Sequence, residues 1–194
     1  MIGEPEQRCV RAALTDADSA VAEFDNARDW LADAVLKPME PIAAEVWGFD
    51  MELTQVLLVR HRWRGWVPPG GAVESSETPR EAAGRELFEE TGLLADLLPE
   101  PAAVAVRSYH PDWSVTLGLS YAAIVDSALP LAEEDEQPAA WTPLDETWET
   151  YFPDDISRIR QHATWLRSRA SRLADECARH TNGFANETGR DTGD

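Results

Sequence analysis

The sequence predicts an α/β fold, a sandwich of helices around a mixed β-sheet, with an N-terminal helical extension. Three observations carry that prediction. Short apolar, β-prone segments lie on both sides of one sharply delimited helix, a long helical pattern closes the chain, and residues 1–40 have helical periodicity. The 194 residues suffice for one well-buried domain, expected over residues 41–180, with residues 1–40 as the extension and 181–194 as a polar, disordered tail.

Taken in order, residues 18–36 form an amphipathic pattern through Val21, Phe24, Trp30, Leu31, Ala34 and Val35, closed by Pro38 and Pro41. Residues 42–49 and 56–59 read as two strands joined by the polar turn 50–55. The Pro- and Gly-rich stretch 66–71 reads as a loop, and a helix follows over 78–92. Strands are expected near 103–109 and 114–125, then an acidic, mobile loop over 129–140. A short strand at 139–144 and a helix over 155–180 complete the order. The last helix carries Ile156, Ile159, His162, Ala163, Leu166 and Leu173 near helical spacing.

Charge narrows the function. With 36 acidic against 17 basic side chains, the net charge is −19. Nucleic acid polymers bind through Lys and Arg on phosphates, so such a partner is not expected. A small anion remains compatible if it arrives with a divalent cation and meets a local Arg cluster. Lys37 is the only lysine, which codon bias explains. Cys9 and Cys177 sit near opposite ends, outside metal-ligand or disulfide-framework spacing. No apolar run is long enough to span a bilayer, and Glu4 and Glu6 are unlike a secretory signal, so a cytoplasmic protein is expected.

The informative stretch runs from Gly70-Gly71 to Leu93. Thr78-Pro79-Arg80-Glu81 is a helix start, with Thr as N-cap, Pro at the first helical position and Glu closing a capping box. Gly92 supplies the stop. Between them Glu86, Glu89 and Glu90 share an arc of about 100° on one helix face. Ala83, Leu87 and Phe88 lie elsewhere, free to pack on the sheet. Three clustered carboxylates repel unless a cation sits among them, and oxygen ligands suit a hard ion such as Mg²⁺ or Mn²⁺. An acidic solvated face is the plainer explanation for a Glu-rich helix, but here the helix follows a Gly-Gly loop whose backbone can approach a ligand closely.

Gly71, Glu77 and Arg85-Glu86-Leu87-Phe88-Glu89-Glu90-Thr91-Gly92-Leu93 resemble a complete Nudix box, Gly-x5-Glu-x7-Arg-Glu-U-x-Glu-Glu-x-Gly-U with U aliphatic. The flanks are similar too: Val56-Leu57-Leu58-Val59-Arg60 and Trp66-Val67-Pro68-Pro69 before the box, and Trp141-Thr142-Pro143-Leu144 after it. The similarity extends over about residues 41–169 and implies a Nudix-type α/β/α sandwich. It further implies that Glu86, Glu89, Glu90 and the Gly71 carbonyl bind the metal, Mg²⁺ with Mn²⁺ as substitute. Arg85 would orient the carboxylates, and Glu77 would act structurally near the metals. The implied activity is hydrolysis of a nucleoside diphosphate linked to another moiety, first a nucleoside triphosphate such as an oxidised purine dNTP, giving NMP and pyrophosphate. A dinucleoside polyphosphate or a nucleotide sugar is the alternative.

Weaker signals surround the box. Arg60, Arg62, Arg64 and His61 concentrate positive charge before it; Arg60, then Arg62, are candidate phosphate clamps, with Gly70 at the substrate. The competing explanation is charge balance on a surface loop. Glu136 and Glu133 lie where many Nudix hydrolases deliver a general base or late metal ligand. Trp63, Trp66, Trp113 and Tyr109 could stack on a base or simply fill the core; Tyr109 stands where dinucleoside-polyphosphate members often carry Tyr. Asn186-Glu187-Thr188 matches a glycosylation acceptor by chance. The Arg-rich last helix and the acidic segment 132–155 could attract within one chain or across a homodimer. Nudix-fold isopentenyl diphosphate isomerases need a pocket Cys, which neither cysteine supplies here. A catalytically silent nucleotide sensor would show an eroded box or an added DNA-binding domain.

Overall fold

The computed structural model describes residues 4–35, 41–132 and 137–187. The elements in order are α1 (Glu4–Ser19), β1 (Ala22–Glu23), α2 (Ala27–Ala34), β2 (Ala43–Phe49), β3 (Gln55–His61), β4 (Gly65–Val67), β5 (Gly70–Ala72), α3 (Pro79–Thr91), β6 (Ala103–Arg107), β7 (Thr116–Ile124), β8 (Ala139–Pro143) and α4 (Pro153–Glu187).

The sheet is mixed, as expected, and runs β1-β6-β7-β2-β3-β4, with β5 pairing β2 and β8 pairing β3. Strand β2 is its axis: it runs parallel to β7 from Ala43↔Gly118 to Phe49↔Ile124 and antiparallel to β5 and β3. Alternation along the strands sends Val46, Leu57, Leu119 and Tyr121 into one core under α1, α2 and α3. Trp47, Phe49, Leu58 and Ala122 enter a second core with Ile159, Ala163 and Leu166 of α4. Both faces are therefore covered, which makes the fold an α/β/α sandwich. Asp50 ties the β2–β3 turn: its carboxylate accepts the N–H groups of Thr54 at 2.6 Å and Gln55 at 2.9 Å.

Four expectations need correction. The single helix over 18–36 is broken, because Ala22–Glu23 leaves it to pair parallel with Ala103 and Val104 of β6. Asp25 and Asn26, with φ of 61° and 51°, make the left-handed turn into α2. Sheet-edge hydrogen bonding overrides the local helical period there. The stretch 66–71 is not simply loop, since Trp66 continues β4 against Arg60 and Gly70–Gly71 pair with Glu45 and Ala44. Finally, α3 buries Ala82, Ala83, Leu87, Glu90 and Thr91, while Phe88 is 50% exposed. Phe88 stands about 100° round the helix from Leu87 and falls outside the arc centred on the sheet. Helix α4 also continues past residue 180 to Glu187, and its arginines engage the chain itself: Arg167 donates to the Leu53 carbonyl and Arg169 pairs with Glu100.

Besides the β1–β6 pairing, side-chain contacts fasten α1 of the extension to the body. The Tyr121 hydroxyl, buried beneath α1, donates to Asp16 at 2.5 Å, with the Arg80 guanidinium 4.6 Å from the ring centre. Arg8 of α1 reaches Glu81 at 2.5 Å and the Ser76 carbonyl at 3.2 Å, at the start of α3. Tyr121→Phe should lower stability by about 1–2 kcal/mol, the worth of a hydrogen bond to a charged, half-exposed acceptor. Urea unfolding would show it as a lower midpoint at unchanged m-value, and an unshifted midpoint would mean that the Tyr121–Asp16 bond adds nothing net to the hold on α1.

Candidate active site

Helix α3 begins with the capping box in full: Thr78 accepts the Glu81 N–H, and the Glu81 carboxylate accepts the Thr78 N–H at 2.8 Å. Gly92, at φ 71°, ends the helix in the left-handed conformation. This fixes the helix's register, and so where Glu86, Glu89 and Glu90 emerge.

Arg85 organises the acidic face. Its guanidinium takes both Glu77 oxygens, at 2.7 and 3.1 Å, then Glu86 at 2.8 Å, Glu89 at 2.9 Å and the Ala72 carbonyl at 3.3 Å. Hydrogen bonds from Arg85 hold the Glu77 carboxyl below its ordinary range, and Glu77 also accepts the Glu74 N–H at 2.8 Å. Glu86 is pushed the other way, because burial penalises its charge more than Arg85 relieves it. Glu90 is buried, and its Oε2 accepts the Gly70 N–H at 2.8 Å. A Cβ at Gly71 would strike the Glu86 carboxylate, so a larger residue there would have to displace that side chain. Glu89 is exposed.

Among the described residues no three His, Cys, Asp or Glu side chains stand close enough together to hold an ion as they are, since Arg85 takes up Glu86 and Glu89. The donor chemistry nonetheless fits a hard divalent cation. It is all oxygen, and Glu86 is half-buried at a cost in charge, its carboxylate hard against the Gly71 backbone.

Gly70, Gly71 and Ala72 form a wall shared with a cavity of about 670 Å³. Arg62 and Arg64 line it from the β3–β4 turn, a turn that Gly65 alone permits: its φ is 72°, and a Cβ there would lie 2.5 Å from the Glu149 carbonyl oxygen. Burial lowers the pKa of Arg64, and the nearby charges of Tyr109, Glu90 and Glu45 act to raise it. The Arg64 Nε is buried without a hydrogen-bond partner. At the mouth, Trp63 stands edge-on to His61, His110 and Tyr151 at 5.1–5.5 Å between ring centres. Burial first, then Arg64 and Arg62, pull the His61 pKa down to about 4, so this imidazole is neutral at pH 7.

The residues singled out from sequence divide. Glu77, Arg85, Glu86, Glu89, Glu90, Gly70 and Gly71 cluster, and Arg62 lines the adjoining cavity. Arg60 is exposed on β3 and contributes nothing to the cavity lining. Glu133 and Glu136 lie outside the described residues; the chain just before them is held at the end of α3, where the Ala132 N–H donates to the Thr91 carbonyl at 2.9 Å.

Sequence reasoning missed a buried ionic group in the cavity wall. Arg107 pairs with Asp155 at 2.5 Å and Glu45 at 3.1 Å, and donates to the Tyr109 hydroxyl at 3.2 Å. Glu45 Oε1 also accepts from Trp47 and Ser120. The available signal was one charged residue inside each of two otherwise apolar strands, Glu45 in β2 and Arg107 in β6.

The NUDIX domain profile matches residues 39–163. A nucleoside triphosphate pyrophosphatase/Nudix hydrolase fusion protein from Bifidobacterium longum is 33% identical over 51% of the chain, spanning 22% of its own length. An RNA pyrophosphohydrolase from Cereibacter sphaeroides is 44% identical over 25% of the chain and 26% of itself. The chain thus aligns with about a quarter of the length of these curated relatives. Among solved structures, a C. elegans Ap4A hydrolase aligns with TM-score 0.57 at 18% identity, covering 66% of this chain and 99% of its own. A NUDIX-family hydrolase from Clostridium perfringens aligns with TM-score 0.53 at 19% identity over 64% and 97%. At those identities the structures speak for the fold, and the profile match, across most of the chain and the whole of the box, shows the lineage: the chain belongs to the Nudix family.

Proposed function

We propose that this protein is a divalent-metal-dependent pyrophosphohydrolase that cleaves nucleoside triphosphates, oxidised purine forms included, to NMP and pyrophosphate. The observation that carries this reading is the shared wall. Gly70, Gly71 and Ala72 have the box side chains bound to one side and the 670 Å³ cavity, of a size suited to a small-molecule ligand, on the other. Relatives named as pyrophosphatase and pyrophosphohydrolase support the reaction class.

Glu86, Glu89, Glu90 and the Gly71 carbonyl would hold Mg²⁺ or Mn²⁺. Bound there, such an ion supplies neutralising charge for the diphosphate and a lowered pKa for the attacking water. The chain's own part is positioning and charge. Arg85 keeps Glu77, Glu86 and Glu89 in one array, and Glu90 fixes the Gly70 backbone. Arg64, with its buried unpartnered Nε, is the phosphate clamp in this reading and displaces Arg60 from that role. Trp63 and Trp113 offer faces on which a base can stack. The exposure of Trp63, Trp113 and Tyr151 together favours a second reading, a dinucleoside polyphosphate with a second base at the mouth. Glu136 or Glu133 remains our candidate for the general base or a late metal ligand.

A nucleotide panel with Mg²⁺, scored for pyrophosphate against phosphate release, tests the substrate. Pyrophosphate from nucleoside triphosphates is expected; preferential cleavage of dinucleoside polyphosphates would move the assignment to the second reading, and no turnover across the panel would indicate a silent sensor. Activity should vanish in excess EDTA and return with Mg²⁺ or Mn²⁺, and the metal should raise Tm by binding only the folded cluster. Full activity in EDTA would refute the metal assignment.

Arg64→Ala should reduce kcat/KM by about 1.5–3 kcal/mol of transition-state binding, and Arg60→Ala should change little. The reverse order would restore Arg60 as the clamp. Glu81→Ala should cost about 1 kcal/mol of stability with turnover nearly intact, as for a lost cap. Glu90→Gln keeps an acceptor for the Gly70 N–H and removes a charge from a repulsive cluster. Its metal-free melting temperature should equal or slightly exceed wild type, while turnover falls by several powers of ten. Near-normal turnover in Glu90→Gln would make the carboxylate face structural.

A further inference from the structure

Among the described residues that line the large cavity, Glu45 alone carries a carboxylate. It is 8% exposed, and its two oxygens are unequally used. Oε1 accepts from Trp47 Nε1 at 2.9 Å, Ser120 Oγ at 2.7 Å and Arg107 at 3.1 Å. Oε2 accepts no hydrogen bond, yet it is not sealed in. The sealed, unpartnered side-chain atoms of the described residues are Arg64 Nε, Trp141 Nε1, Asp155 Oδ1 and the two His162 nitrogens. The small accessible remainder of Glu45 therefore includes Oε2, and the space it meets is the cavity. The donors on Oε1, with the Arg107–Asp155 pair behind them, hold the carboxylate in place, so Oε2 is a preplaced acceptor. Glu45 alternates with Val46 along β2 and shares the α4 side of the sheet with Trp47, opposite the side on which α3 packs.

We propose that Glu45 is the base-reading residue of the cavity and selects nucleotides with a guanine-type edge, an N1–H beside a 2-amino group. This rests on the cavity being a nucleotide site, as in the function proposed above. A carboxylate oxygen only accepts, and its two lone pairs can take two donors. Guanine presents two adjacent N–H donors, and its 8-oxidised form keeps them. Adenine and cytosine set an amino donor beside an acceptor ring nitrogen. Uracil and thymine flank one N–H with two carbonyls. Each of these edges brings a lone pair against Oε2, and a site built around a buried polar group rejects ligands that leave the group unmet. The same negative charge disfavours phosphate beside Glu45 and directs the diphosphate towards Arg62, Arg64 and the glycine wall.

Nucleoside monophosphates titrated calorimetrically into the full chain in excess EDTA test the proposal without any hydrolysis. GMP should bind about tenfold more tightly than IMP, which lacks the 2-amino donor, and about 100-fold more tightly than AMP. Glu45→Gln keeps Oε1 for its three donors and puts an amide N–H₂ where Oε2 stood. GMP affinity should then fall about 10–100-fold, while AMP, whose N1 accepts, should hold or gain. The wild-type series decides the matter even if that variant folds poorly. Absence of saturable GMP binding, equal Kd values for GMP and AMP in the wild type, or an undiminished GMP preference in folded Glu45→Gln would each overturn the proposal. A GMP preference in a protein that hydrolyses no triphosphate would strike the pyrophosphohydrolase reading and support Glu45 as the base reader.

Discussion

The close approach of the 70–71 backbone to strand β2 and helix α3 is the constraint on which the rest of the site depends. A Cβ at Gly70 would lie 2.5 Å from Glu45 Cβ and 2.6 Å from the Ala44 carbonyl oxygen, and one at Gly71 would enter the Glu86 carboxylate. With no side chains in between, the peptide sits between sheet and helix, and its N–H finds the buried Glu90. Ala72 then presents its carbonyl to Arg85. The glutamates are thereby attached to the wall of the cavity without protruding into it. A methyl added at Gly70 would push β5 off β2, and one at Gly71 would displace the Glu86 carboxylate from where charge is most concentrated.

That concentration has to be held without metal, and Arg85 does most of the holding. One guanidinium satisfies Glu77, Glu86 and Glu89, and multidentate charge-assisted bonds of this kind are geometrically demanding. Arg85 is accordingly bound more firmly to its proton than an ordinary arginine, chiefly through Glu77. A divalent ion entering among Glu86, Glu89 and Glu90 would compete with Arg85 for two of its three partners. Glu77, bound through both oxygens, would still retain the guanidinium. On that account the box arginine and its first glutamate are a fixed pair, and the later glutamates are the exchangeable ones.

Legibility in the sequence followed the range of the interactions. Helix α3 was readable nearly to the residue because its limits are local: Thr78, Pro79, Glu81 and Gly92 act within a turn of themselves. The strands β2, β3, β6, β7 and β8 were readable from composition, since both faces of the sheet are buried and the segments must be apolar. The N-terminal break was not, because what interrupts the helix at Ala22 is a pairing with Ala103, far along the chain. Arg60 and Arg64 were indistinguishable for a similar reason: both are arginines beside the box, and only the Gly65 turn and the packing around it bury one and expose the other. The Glu45–Arg107–Asp155 group was hidden among apolar residues, its partners 62 and 48 positions apart.

That hidden group links the parts of the molecule that sequence similarity treats separately. From Glu45 in the cavity wall, charges alternate through Arg107, Asp155 and Arg158 to Asp25 at the turn of the extension. Buried ion pairs recover little more than their desolvation cost, so such a chain contributes less to stability than to a specified arrangement. Here it specifies four elements at once: β2, β6, the start of α4 and the turn before α2. Removing Arg107 would leave Glu45 and Asp155 without their buried cation, and Asp155, through Arg158, is the link from that wall to Asp25 of the extension. The N-terminal residues, though outside the profile match, are thus connected to the Nudix domain by charge as well as by the sheet.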